Sequence, residues 1–399
     1  MALTILEPQP AANSPARLAL WDLGFRPFYL LAAVQAALAV PLWAMEYAGW
    51  LGPSGAPRLG SALWHAHGMV FGFAFAVITG FLFTAGRNWS GRPTPSGRAL
   101  MLLAALWVAG RVLLYSPWVW LAALADAAFA LGAAGGLARA LMGAGNRRNY
   151  FFVALLLGLG AAGLAVHLAI AGRIAWSASA LLQVGLDLVL FAMVVMGGRV
   201  IPMFTANGVP GVKAVRKPWV ERTALGSVLL LLCADLVGVP GDALAALCLV
   251  AALSHALRLA GWQPWRTLRH PLVWVLHVAY AWIVAYLALR AAAAAGLVAP
   301  GVATHALTAG AIGGLTLGMM TRTARGHSGL PLRAGAAELA AYLLVNAAAV
   351  ARVLCPLVWP GWTLPALLAS GVLWSAAFAA YLWRYTPMLV RPRADGRPL

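Results

Sequence analysis

The sequence predicts an all-α, polytopic membrane protein of about twelve transmembrane helices. Three observations predict it: 63% of the residues are hydrophobic and only 10% charged, apolar runs follow one another almost end to end, and the basic residues gather in alternate connections. A soluble chain of 399 residues cannot bury so much apolar side chain. A membrane accepts it, at about twenty apolar residues per helix for a hydrocarbon layer of ~30 Å.

The apolar runs cover 27–48, 62–85, 98–116, 117–141, 150–171, 177–204, 219–238, 241–261, 271–295, 302–322, 336–356 and 363–386. The segment before the first run carries Arg17 and Arg26 but no uninterrupted apolar core, so the first helix is expected to insert the chain without cleavage. Runs two and three are separated by Arg87, Arg92 and Arg98, and runs four and five by Arg139, Arg147 and Arg148. Lys213, Arg216, Lys217 and Arg222 follow run six, Arg258, Arg266 and Arg269 follow run eight, and Arg322, Arg325 and Arg333 follow run ten. The tail adds Arg384, Arg391, Arg393 and Arg397. The opposite side holds only Arg58, Arg111, Arg173, Arg290 and Arg352. By the positive-inside rule both termini face the cytoplasm, and the net charge of +18 reflects topology rather than nucleic-acid binding. The short connections, rich in Gly, Pro and Arg, leave no room for a soluble module, so residues 1–399 read as one transmembrane domain. Cys233, Cys248 and Cys355 have no motif spacing, which argues against a disulfide framework or a thiolate metal site.

Laying run two over run ten at an offset of 238 residues matches His67 with His305, Gly72 with Gly310, Gly80 with Gly318 and Arg87 with Arg325. Ser90-Gly91-x-Pro93 then falls on Ser328-Gly329-x-Pro331. Run six joins more weakly through Gly197 and Gly208-x-Pro210, and the spacing predicts three units of four helices.

Ionisable groups within a bilayer are costly enough to need a partner or a purpose. His65, His67, His305 and His167 are expected toward the outer face, and His255, His270, His277 and His327 toward the inner one. His65 and His67 stand about 200° apart around a helix, so they face different compartments. Imidazoles from two facing helices suit the axial positions of a haem iron, and His67 with His305 is the pair predicted for that role, with His65 serving a neighbouring metal or the second face of the haem. Gly68, Gly72, Gly310, Gly314 and Gly318 either admit a flat macrocycle or allow close helix packing. Arg111, Arg290 and Arg352 would meet haem propionates or snorkel to the outer headgroups. His255 and His277 are expected at similar depth, as a haem or copper site, part of a quinol pocket, or a structural hydrogen bond. Asp126 and Asp187 are the acidic groups expected deepest in the membrane, and Asp187 is the proton-pathway candidate.

Four stretches carry a resemblance to the NnrS family: Leu23-Gly24-Phe25-Arg26-Pro27-Phe28, WHAHGMVFGFAFAVITGFLFTAGRNWSGRP from Trp64, GGRVIPMF from Gly197, and HALTAGAIGGLTLGMMTRTARGHSGLPL from His305. The resemblance implies a twelve-helix bacterial membrane protein carrying haem b and copper and protecting against nitrosative stress in the nitric oxide response. A more remote, architectural similarity is to subunit I of the haem–copper oxidases, which holds haem between helices two and ten. Their copper ligands have no counterpart here, so oxygen reduction is not expected.

The leading functional reading is a haem membrane protein, with or without copper, that binds or converts nitric oxide or its adducts, as a haem-dependent oxidoreductase if a quinol or another donor supplies electrons. The alternatives are a cofactor-free, proton-coupled transporter and a factor that inserts haem or copper elsewhere.

Overall fold

The computed structural model describes residues 18–52 and 59–396; Arg17, Arg58 and Arg397 fall outside them. Among the described residues there are twelve long helices and no strand. They are α1 (Phe25–Tyr47), α2 (Ser61–Ser90), α3 (Gly97–Leu113), α4 (Val119–Gly143), α5 (Phe151–Ile170) and α6 (Ala178–Gly208). Then follow α7 (Pro218–Val237), α8 (Gly241–Gly261), α9 (Pro271–Ala294), α10 (Pro300–His327), α11 (Ala336–Val358) and α12 (Thr363–Val390). Ten are long and apolar enough to cross a membrane. The other two are α3, of 17 residues, and α7, which carries Glu221, Arg222 and Asp235. Two of those α7 charges are neutralised by neighbours: Glu221 receives Arg258 of α8, and Asp235 receives Arg290 of α9.

Local chemistry sets the ends. Pro218, Pro271 and Pro300 occupy first turns, where a missing N–H costs nothing. The Ser177 hydroxyl accepts from the Ala180 N–H at 3.1 Å and caps α6. Gly91 ends α2 in the left-handed region at φ 64°. Helices α2, α6, α10 and α12 run four or five residues beyond their apolar runs. In α2 and α10 the apolar runs stop beside Arg87 and at Arg322, but the backbone hydrogen bonds continue past them.

Successive helices pack side by side, and α12 returns against α1. The closure is fastened by the buried Arg26, whose Nη1 donates to the carbonyls of Leu389 at 2.8 Å and Arg391 at 2.6 Å. The most buried of the membrane-spanning helices are α2, α6 and α10, one in every four. They meet around a central cavity of about 90 Å³ lined by apolar side chains such as Val77, Met193, Met196 and Met319.

Two interior helices share an irregularity. Each opens as an α-helix, widens into a π-helix and resumes as α, the wide stretch covering Gly68–Ala74 in α2 and Ala306–Ile312 in α10. Both boundaries of the second stretch lie 238 residues after those of the first, the offset that aligned the two sequences. The backbone thus repeats as the sequence does. Helix α6 has no such stretch, in keeping with its weaker match. Wide turns of this kind gather at functional sites.

Candidate functional site

The wide turns follow directly on histidines, and those histidines stand at one end of the bundle, where even-numbered helices begin and odd-numbered ones end. Here the structure gathers three groups of polar side chains.

The first is a cavity of about 530 Å³, within the few hundred to about 1,000 Å³ typical of cofactor clefts. Its polar lining includes His65 from α2, His305 from α10 and Arg352 from α11. The His65 ring stacks on Trp43 of α1 at 4.2 Å and 21°. The His305 Nδ1 lies 2.6 Å from the Gly301 carbonyl. Because a carbonyl only accepts, Nδ1 carries the proton, and Nε2 keeps its lone pair. Arg352, half-buried, has no hydrogen bond or ion pair among the described residues. The remaining wall is apolar, with Met69, Leu182, Leu186 and Trp374 among its residues.

The second group surrounds Asp126 of α4. Arg111 of α3 donates through Nη2 to both of its carboxylate oxygens at 2.5 Å. His67 Nε2 and His167 Nε2, from α2 and α5, stand 3.8 and 3.9 Å from Asp126 Oδ2. Both histidines are buried, and none of their four ring nitrogens has a hydrogen-bond partner. A buried polar atom left unpaired costs about 1–3 kcal/mol. Within the wide turn of α2, the Gly72 carbonyl accepts from Trp107 Nε1 of α3 at 3.1 Å.

The third group joins α6, α7 and α9. Arg290 donates to Asp187 Oδ1 at 3.3 Å, to Tyr286 Oη at 3.1 Å, and to Asp235. Gln183, which lines the cavity, donates to Asp187 Oδ1 at 2.9 Å and to Tyr286 Oη at 3.2 Å. Two carboxylates share one guanidinium, so the group carries one negative charge in surplus unless it holds a proton.

This geometry revises several expectations. His67 and His305, matched by the repeat, do not share a compartment: His305 lines the cavity with His65, while His67 points to Asp126. Of the three arginines predicted for a haem edge, only Arg352 reaches the cavity, since Arg111 and Arg290 are held by carboxylates. His255 and His277 form no joint metal site. The His255 nitrogens are taken by Tyr280 Oη at 2.6 Å and the Ala224 carbonyl at 3.1 Å, and His277 Nε2 lies 2.8 Å from Thr205 Oγ1. The α10 glycines serve close packing, since a Cβ on Gly314 would stand 2.7 Å from that of Ala279, and one on Gly318 would stand 2.8 Å from Leu276. Sequence reasoning missed the partnership of Asp126 and His167 with His67. The signal available was depth, because all three lie near the same end of their helices.

A helical bundle that buries imidazoles beside a roomy apolar cavity and beside a carboxylate defines a polytopic membrane protein fitted for a metal-containing cofactor. The NnrS protein family model matches residues 19–393, and the chain belongs to that family. A search of curated proteins gave no match.

Proposed function

We propose that this protein binds haem b in the cavity between α2 and α10, with His65 and His305 as iron ligands, and that it serves the nitric oxide response implied by its family. The observation that carries this reading is the pair of imidazoles from two different helices lining one cavity of about 530 Å³. The donor set fits: His305 presents an Nε2 lone pair, the His65 Nδ1 is buried without a partner, and Arg352 stands ready for a propionate. Non-covalent haem b suits the chain, whose three cysteines lie far from any Cys-x-x-Cys-His spacing.

Haem iron held by both imidazoles would supply an electron-transfer centre, and nitric oxide would bind it only in place of one of them. The residues around it do the rest. Gly301 fixes the tautomer of His305, and Trp43 holds the His65 ring by stacking. The apolar cavity at the bundle centre suits a small, uncharged solute, since cavities of that lining stay dry. Gln183 connects the haem cavity to Asp187, and the Asp187–Asp235 pair on Arg290 is the proton store of this reading. Turnover of nitric oxide or its adducts draws electrons from a donor such as quinol. The copper that the family resemblance implies belongs at a separate place. The protein acts as one domain in a bacterial inner membrane, with both termini cytoplasmic.

The test is the optical spectrum of detergent-purified protein, oxidised, reduced, and reduced with nitric oxide. Stoichiometric haem is expected in the parent and in His67→Ala, with less than about a tenth remaining in His65→Ala and His305→Ala. A colourless, folded parent from haem-replete cells overturns the proposal in favour of a cofactor-free transporter. Haem retained in both variants moves the ligands elsewhere.

A further inference from the structure

Outside the haem cavity, two buried imidazoles beside one carboxylate have no hydrogen-bond partner. His67, His167 and Asp126 come from three different helices, yet their ligand-capable atoms all lie within 4.8 Å of one another. Both imidazoles are almost wholly buried, at 0% and 3% exposure, and are without hydrogen bonds at either nitrogen. A structural histidine in an apolar bundle finds a partner, as His255 and His277 do at the other end. Two that find none, and that face a carboxylate, are short of one atom between them.

The spacing favours a metal as that atom. An ion bonded at about 2.0–2.2 Å to each of three donors separates them by about 3.3–3.8 Å in tetrahedral to trigonal arrangements. A water at about 2.8 Å from each would separate them by about 4.5 Å. The two histidine-to-carboxylate distances are 3.8 and 3.9 Å, close to the upper edge of the metal range. We propose that His67 Nε2, His167 Nε2 and Asp126 Oδ2 bind a first-row transition-metal ion.

Two imidazoles and one carboxylate without thiolate suit Cu(II), Zn(II) or Fe(II), and Cu(II), the tightest binder in the Irving–Williams order, is the probe. Three protein ligands leave a position open, as in reactive rather than purely structural sites. An anion there, such as hydroxide, offsets charge that Asp126 cannot, because Arg111 shares that carboxylate. Arg111 is a positioning residue: its contact with both oxygens orients Asp126 toward the imidazoles. This site stands apart from the haem reading, since its ligands do not line that cavity.

The test is metal content by mass spectrometry, with electron paramagnetic resonance, on the full chain in detergent after incubation with Cu(II) and removal of excess. About one copper per chain is expected, its spectrum split by two imidazole nitrogens. Copper should fall at least tenfold in His167→Ala and in Asp126→Asn but persist in His65→Ala. A folded parent with neither nitrogen-coupled copper nor another first-row metal overturns the proposal and leaves an ordered water as the occupant. Copper undiminished in both triad variants overturns it as well. Zinc or iron held by the parent in place of copper, and lost from the same variants, supports the site equally. Haem is read separately from its optical band, so a colourless chain that holds copper refutes the haem assignment alone.

Discussion

Two histidines separated by one alanine do different work here. His65 stacks on Trp43 and faces a cavity, whereas His67 meets a carboxylate on another helix. At the same scale, Arg258 shows how a charge is made tolerable away from the site. It is buried, donates through Nε and Nη2 to Glu221 at 3.2 and 2.6 Å, and gives Nη1 to the Val194 carbonyl and Tyr280 Oη, each at 2.9 Å. Removing one member of such a buried pair costs about 3–5 kcal/mol, because the other charge is stranded. Glu221 keeps a second contact to Arg216, so we predict that Arg258→Met costs about 3 kcal/mol. Thermal unfolding in detergent measures it, and Glu221→Gln added to Arg258→Met should recover part of the loss. An unchanged melting temperature in the single variant would refute this account.

At the scale of the element, the wide turns of α2 and α10 are the features to test. A π-helical stretch behaves as a one-residue insertion into an α-helix, and it changes the direction of everything on one side relative to the other. Deleting Val70 from Gly68–Ala74 should restore the α register and turn His65 and His67 by about 100° relative to the rest of α2. We predict that this variant keeps its helical circular dichroism and loses cofactor from both sites. Deleting Ala309 from the matching stretch should empty only the haem cavity, since His305 alone precedes it. Full cofactor content in either variant would show that the wide turn does not set side-chain direction.

For the whole molecule, closure and orientation are the open questions. The first and last helices are tied by Arg26, a single guanidinium serving carbonyls more than 360 residues away. Hydrogen bonds from a charged donor contribute about 1.5–3 kcal/mol each. Arg26→Met should therefore lower the melting temperature by several degrees and raise protease sensitivity near residue 390, with cofactor content less affected. Twelve crossings would put the termini on one side, and we propose that this side is the cytoplasm, where the basic connections lie. A fluorescent protein fused after Leu399 is expected to fluoresce, and an alkaline phosphatase there to be inactive. The reverse result would invert the topology.

Much of this was legible without coordinates. The twelve apolar runs became twelve helices, and even the short α3 and the charge-bearing α7 formed where read, since a membrane-helix run is set by composition over about twenty residues. The repeat between runs two and ten was legible as well, and the wide turns reproduce it in the backbone at the same offset. Helix number, helix order and family membership were therefore determined by the sequence alone. The grouping of histidines was decided only by the tertiary structure. Matching His67 to His305 located equivalent backbone positions, but a side chain's direction depends on helix rotation and on a wide turn that composition does not reveal. Whether a buried imidazole meets a cavity, a carboxylate or a hydroxyl depends on which helix faces it, and that is settled by packing among residues far apart in the chain.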